Sequence, residues 1–215
     1  LQKLQVTDGL ADDFVPFRDY HWFGADGEPL MTLQAPVPAA SGWEPDYLFF
    51  QPILEHALDA RARSASTVTV ERGWAATGLT TDDDGAELVV SRVADPADTR
   101  TVRARWVVGA DGANSFVREA RHIPRRDLGF QERWLVVDVQ PHDMDALDLP
   151  TACQWCDPER PTTHVQSGAG HRRWEFMLLA DEEPSDFEDP EAAWALLAPW
   201  FTPADGTLTR HAVYE

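Results

Sequence analysis

The stretch Val107-Val108-Gly109-Ala110-Asp111-Gly112-Ala113-Asn114-Ser115-Phe116-Val117-Arg118 carries the residue types best suited to holding a ligand. An apolar run gives way to an acidic-glycine turn, and small polar residues then open a helix. Such a turn lets main chain approach a bound molecule closely, because glycine has no Cβ and populates positive φ at little cost. N–H groups at a helix start carry partial positive charge and can bond a ribose or a phosphate. Spacing alone leaves two readings, a ligand loop or an ordinary strand-to-helix turn, in which Asp-Gly is common. The same tetrapeptide, Gly-Ala-Asp-Gly, stands at Gly24 to Gly27, where it reads only as a hairpin turn.

Cys153 and Cys156 form a lone C-x-x-C, the spacing of a redox pair or of half a zinc site. Their surroundings, Ala152 to Asp157, read as a strand, and a separation of three puts the two side chains on opposite faces. No second pair of soft ligands lies near in sequence, so no metal is expected. Both cysteines read as buried free thiols, which fits a reducing compartment and a cytoplasmic location.

The elements that must position these residues follow from periodicity. An amphipathic helix is expected from Leu1 through Leu4 to Leu10, already under way at the first residue, so the chain reads as a fragment. Tyr20 to Phe23 and Leu30 to Leu33 read as a hairpin. A Pro-rich connector, Ala35 to Pro38, leads to a strand at Tyr47 to Phe50. Gln51-Pro52 then opens a helix to about Arg63, with Ile53, Leu54, Ala57 and Leu58 as its apolar stripe.

Short β-rich runs follow at 67–71, 75–81, 86–93 and 101–108, with turns at Asp82 to Gly85 and Asp95 to Asp98. The last of them, Trp106 to Ala110, is continuously apolar and reads as a strand buried on both faces. A helix is expected from Ser115 to about Arg121, and further strands at 134–139, 151–156, 163–166 and 173–179, with Ser167 to Gly170 as a hairpin turn. An amphipathic helix at 190–201 and a strand at 211–214 complete the pattern. On the later strands His164 and Gln166 share a face by period two. The adjacent Arg172 and Arg173 read as water-facing charges beside a hairpin.

Composition narrows the functions. With 43% hydrophobic residues, 9 Trp and 10 Phe, the 215-residue chain has material for a sizeable core. A formal net charge of -19 repels phosphate backbones and anionic lipid surfaces, so neither nucleic acid nor membrane is expected as a partner. A homodimer is left open.

The segment Gly109 to Arg118 resembles the Asp-Gly fingerprint of the flavoprotein hydroxylases typified by p-hydroxybenzoate hydroxylase, and Gln51-Pro52 opening a helix is similar to that family too. Cys156-Asp157-Pro158-Glu159-Arg160-Pro161, followed by Arg172-Arg173-Trp174-Glu175-Phe176-Met177, resembles most closely the 3-(3-hydroxyphenyl)propionate hydroxylases. The resemblance implies an α+β / α/β architecture, with a partial FAD-binding domain of meander and helices and an antiparallel-sheet substrate domain. Residues 1–19 and 50–125 would belong to the former, residues 20–49 and 126–215 to the latter.

The resemblance further implies FAD and NAD(P)H as cofactors, a small aromatic substrate and O2 as reaction partners, and hydroxylation of a phenolic ring such as a hydroxyphenylpropionate; a same-fold flavoprotein acting on a polyketide or isoprenoid, or a non-catalytic binding module, is the alternative. Asp111 and Gly112 would lie near the cofactors, Arg118 would brace the turn or attract NAD(P)H, and Gln51 would hydrogen-bond the flavin. His164 and Gln166 are the candidate substrate contacts on the sheet. No G-x-G-x-x-G stands on a strand-turn-helix in this sequence, nor does the family's later Gly-Asp motif, so these residues alone are expected to hold FAD weakly and to be inactive.

Overall fold

A computed structural model describes residues 1–34 and 43–214. In chain order its strands are β1 (Val15–Pro16), β2 (Asp19–Phe23), β3 (Pro29–Gln34), β4 (Tyr47–Leu48), β5 (Trp74–Asp82), β6 (Gly85–Arg92), β7 (Asp95–Ala104), β8 (Trp134–Pro141), β9 (Ala152–Trp155), β10 (Thr162–Gln166), β11 (Arg172–Met177) and β12 (Gly206–Tyr214). Three α-helices are described: α1 (Gln51–Arg63), α2 (Phe116–Ala120) and α3 (Pro190–Leu197). The described residues up to Ser64 and from Gln131 onward form one unit, and residues 65–130 form a second. No described helix is long and apolar enough to cross a membrane. The connector at residues 35–38 lies outside the described residues.

The first unit is built on a seven-stranded sheet in the order β12-β8-β11-β10-β9-β2-β3. Its neighbours are antiparallel except β2 and β9, which run parallel. Leu135, Val137 and Val139 alternate along β8, and Trp174 and Phe176 along β11, all at 0 to 1% exposure. This is the period-two pattern of a sheet with one closed face. The cover is α3 and the segments flanking it, which bring Ala193, Leu197, Phe187 and Phe201 onto those strands. Each large side chain buried there contributes about 1.5 to 3 kcal/mol. Helix α3 starts where it does because Pro190 suits the first position and the Asp189 carboxylate accepts the Glu191 N–H at 3.0 Å. Ala193 and Leu197, four apart, then fall on one stripe.

The opposite face is closed only in part. Tyr20, Trp22, Gln154, Thr163, Arg173 and Glu175 all lie half-buried there. Two neighbours on the same face, Val136 and Asp138, are buried.

In the second unit β5, β6 and β7 form an antiparallel meander. Trp74 lies between two guanidinium groups, Arg92 at 4.5 Å and Arg100 at 4.1 Å from its ring centre. A cation over an aromatic face is attracted by the ring quadrupole, which fixes the first strand of the meander to its neighbours.

Several expectations change. The opening helix is a single 3-10 turn, Gln2–Leu4, ended by Gln5 at φ 57°; Val6 and Leu10 are buried by the turns that follow. Left-handed backbone at Gln5 cannot continue a right-handed helix. Of the strand expected at 47–50 only β4 forms, paired with β1, and residues 67–71 form no strand.

The turn expected at Asp95 to Asp98 lies inside β7, and the chain reverses instead at Val93-Ala94, between the paired Arg92 and Asp95. Pro96 has no N–H to donate, yet β7 is an edge strand, where that donor is dispensable. Trp106 to Ala110 is not a buried strand. Trp106 and Val108 are 79% and 86% exposed, because a doubly buried strand needs neighbours on both edges and no described residue pairs with this one.

Candidate functional site

In the second unit the turn at Asp111 is organised by its own side chains. A Cβ on Gly109 would stand 2.7 Å from Val117 Cβ, so only glycine lets the incoming chain pass this close to α2. Gly112 has φ 77°, in the left-handed region, with open space where a Cβ would go. Its glycine is required by conformation rather than by crowding.

The Asp111 carboxylate accepts the Ser115 hydroxyl at 2.5 Å and the Val117 N–H at 3.0 Å. Those hydrogen bonds, the Ser115 hydroxyl first, hold its carboxyl below the usual carboxylate range. Ser115 Oγ accepts the Arg118 N–H at 3.1 Å, capping α2. The Arg118 and Arg125 guanidinium groups both donate to the Ala113 carbonyl, at 2.7 and 2.9 Å. With these side chains committed to holding the turn, residues 112–114 are left exposed. The arrangement suits a molecule bound through close main-chain approach, as a dinucleotide is.

Gln51 lies in the first unit. It opens α1, and its Nε2 donates to Glu55 Oε1 at 2.7 Å. Gln51, Glu55, Asp138, Arg173 and Arg210 line a cleft of about 300 Å3. Arg173 is therefore no water-facing charge. It grips the buried Asp138, while Arg172 is 5% exposed on the other face of the sheet and donates to the Met144 carbonyl at 3.3 Å.

His164 and Gln166 share a face, as expected from period two, but it is the closed face. His164 is 0% exposed, with its ring 4.5 Å from that of Trp174 and Nδ1 3.9 Å from Cys153 Sγ. Burial, aided by the Arg172 charge, lowers its pKa to about 3, so the ring is neutral. Buried on the face that carries the apolar core, the His164 ring is closed to a molecule arriving from solvent, whereas Gln166, at the end of the same strand and face, is half-buried. Burial likewise pushes the Cys153 thiol up to about 12. Cys156 is exposed just past β9 rather than buried, and both cysteines are free.

The half-open face holds residues that the sequence reading passed over. Tyr20 shares a hydrogen bond with Thr163, and burial raises its pKa above the ordinary tyrosine value. Tyr214 donates its hydroxyl to Glu175 Oε2 at 3.1 Å, and burial and that carboxylate raise its pKa as well. The Tyr20 and Trp22 rings lie 4.5 Å apart on the same face. The signal available was the one that grouped His164 with Gln166: Thr163 is the alternate of that pair. Together these groups offer hydroxyl donors, one carboxylate acceptor and aromatic walls, which is the chemistry of a site for a flat hydroxylated ring.

A family model described as an FAD binding domain matches residues 23–200, and the chain belongs to that family. Its fold is that of the FAD-dependent aromatic monooxygenases. The p-nitrophenol 4-monooxygenase of Pseudomonas putida superposes with a TM-score of 0.80 at 21% identity, covering 100% of this chain and 55% of that one. A ternary complex of aklavinone-11 hydroxylase with FAD and aklavinone gives 0.71 at 23% identity, covering 100% and 44%.

Among curated proteins, one named as a probable NADH-specific resorcinol 4-hydroxylase of Rhodococcus jostii is 35% identical over 99% of this chain and 40% of its own length. A 3-(3-hydroxy-phenyl)propionate/3-hydroxycinnamic acid hydroxylase of Paraburkholderia xenovorans is 34% identical over 88% and 30%. The chain thus spans less than half the length of these curated relatives.

Proposed function

We propose that the protein of which this chain is part is an FAD- and NAD(P)H-dependent monooxygenase that hydroxylates a phenolic ring, acting in the cytoplasm. One observation carries the reading: a seven-stranded sheet closes one face with apolar packing and leaves the other lined by Tyr20, Trp22, Thr163, Glu175 and Tyr214. When bound, FAD supplies chemistry that side chains lack, accepting hydride from a nicotinamide and passing one oxygen atom of O2 to the ring.

The chain's own part is to bind and orient. In this reading main chain at Asp111 and Gly112 holds the cofactor, Arg118 keeps the turn in shape through the Ala113 carbonyl, and Gln51 reaches the flavin from the start of α1. The half-open face of the sheet positions the phenol, its tyrosine hydroxyls and Glu175 holding the ring hydroxyl, and its aromatic walls exclude water.

The test uses the protein as its gene encodes it. Purified protein should be yellow, with a flavin band near ~450 nm, and should consume NADH or NADPH faster when a phenol is added, with a hydroxylated product. Colourless protein that cannot be reconstituted with FAD, or nucleotide consumption indifferent to every phenol, rejects the proposal.

A further inference from the structure

We infer that the half-open face of the sheet selects a phenol with no acidic side chain, and that Glu175 is the specificity-determining residue. The inference rests on the reading of this face as the substrate side.

The charge map of the face carries the argument. Arg173 is held by Asp138 through two hydrogen bonds, 2.7 and 3.1 Å long. Arg210, at the same end of the face, lies 3.9 Å from that carboxylate. These two guanidinium groups share the one carboxylate of Asp138, Arg173 through hydrogen bonds and Arg210 only by proximity, with its side chain 58% exposed.

Glu175 differs. It sits one alternation along β11 from Arg173, close enough for the two charges to interact, and it accepts a hydrogen bond from the neutral hydroxyl of Tyr214, 3.1 Å away. Tyr20, bonded to Thr163, lies close enough to feel its charge. A carboxylate offers about four lone-pair sites, and Tyr214 uses one. The remainder suit the O–H of a hydroxylated ring. A substrate carboxylate placed there would meet a like charge, and the guanidinium within reach of that charge, Arg173, is already hydrogen-bonded to Asp138, in a chain whose formal net charge is -19.

The two substrate types named for the curated relatives differ in this respect. Resorcinol is a neutral ring with two hydroxyls, whereas 3-(3-hydroxyphenyl)propionate carries an anionic tail. Glu175 favours the first and disfavours the second.

Calorimetric titration of the FAD-loaded intact protein with resorcinol and with 3-(3-hydroxyphenyl)propionate tests this. Resorcinol should bind at least about tenfold more tightly, and Glu175→Gln should narrow the ratio about tenfold, mainly by improving binding of the anion. Glu175→Asp, which keeps the charge, should retain the preference. Where Glu175→Gln fails to fold, wild-type titrations at two salt concentrations decide, since discrimination against the anion should shrink as salt screens it.

Equal or tighter binding of the propionate by wild-type protein, a ratio unmoved by Glu175→Gln, or discrimination indifferent to salt overturns the inference. Nucleotide consumption is read separately. Selective binding of resorcinol without stimulated consumption would uphold the selectivity and reject the hydroxylase reading.

Discussion

Arg173 and Asp138 stand directly opposite each other on β11 and β8 and are joined by two hydrogen bonds, Nε to Oδ1 at 2.7 Å and Nη2 to Oδ2 at 3.1 Å. The Asp138 side chain is 4% exposed and that of Arg173 24%. A carboxylate taken this far out of water depends on its partner. The pair therefore anchors the half-open face beside the cleft at Gln51.

Breaking a buried pair by removing one member costs about 3 to 5 kcal/mol, and Arg173's residual exposure places this case near the lower end. Asp138→Asn should destabilise the sheet unit by about 2 to 4 kcal/mol in denaturant unfolding. A change below about 0.5 kcal/mol would mean that the pair is screened like a surface ion pair.

The turn at Asp111 should respond to conformation more than to size. Gly112→Ala meets no atom but must hold φ 77°, which costs about 1 to 2 kcal/mol, and Gly112→Asn should cost less because Asn tolerates the left-handed region. Ser115→Ala removes the cap of α2 and should cost about 1 kcal/mol. Hydrogen exchange at residues 115–120 reads all three. Equal protection in Ala and Asn variants at 112 would contradict the conformational account.

His164 sets a pH dependence whose sign is fixed. Its pKa is lowered from 6.5 to about 3 by burial, so the unfolded chain binds the proton more readily than the folded one. The stability this residue carries is complete above pH 6.5 and is lost as pH falls towards 3, by a few kcal/mol at most. His164→Gln should flatten the thermal midpoint over that window relative to wild type. An unchanged slope would show that the fold does not lower the pKa of this ring. Asp111, whose carboxyl is held low, adds a loss of the same direction below about pH 4, confined to α2.

The two thiols should separate cleanly. Cys156 is exposed, whereas Cys153 is buried with its thiol pushed up to about 12, and the thiolate is the reactive form. A native chain should react with one equivalent of a thiol reagent within minutes and with a second only after denaturation. Two fast equivalents would show that β9 opens readily.

Much of the architecture was legible because local rules write it directly. The hairpin of β2 and β3, the start of α1 at Gln51-Pro52, the cap at Ser115 and the reversal at Ser167 to Gly170 all depend on neighbours in the chain. So does the turn around Asp111, whose carboxylate, serine and glycine act within seven residues of one another. Trp106 to Ala110 was misread because continuous apolarity reports what a segment could bury, whereas a strand also needs partners for its N–H and C=O groups.

By itself the sequence determined which residues share a face: period two pairs His164 with Gln166 and sets Thr163 against them, whatever the rest of the chain does. Which of the two faces is sealed was decided only in three dimensions, when α3 and Phe201 settled over Trp174 and Phe176 and left Thr163, Glu175 and Tyr20 on the other side. The physical reason is that alternation is symmetric between the faces of a strand, and only burial of apolar area against a second layer breaks that symmetry.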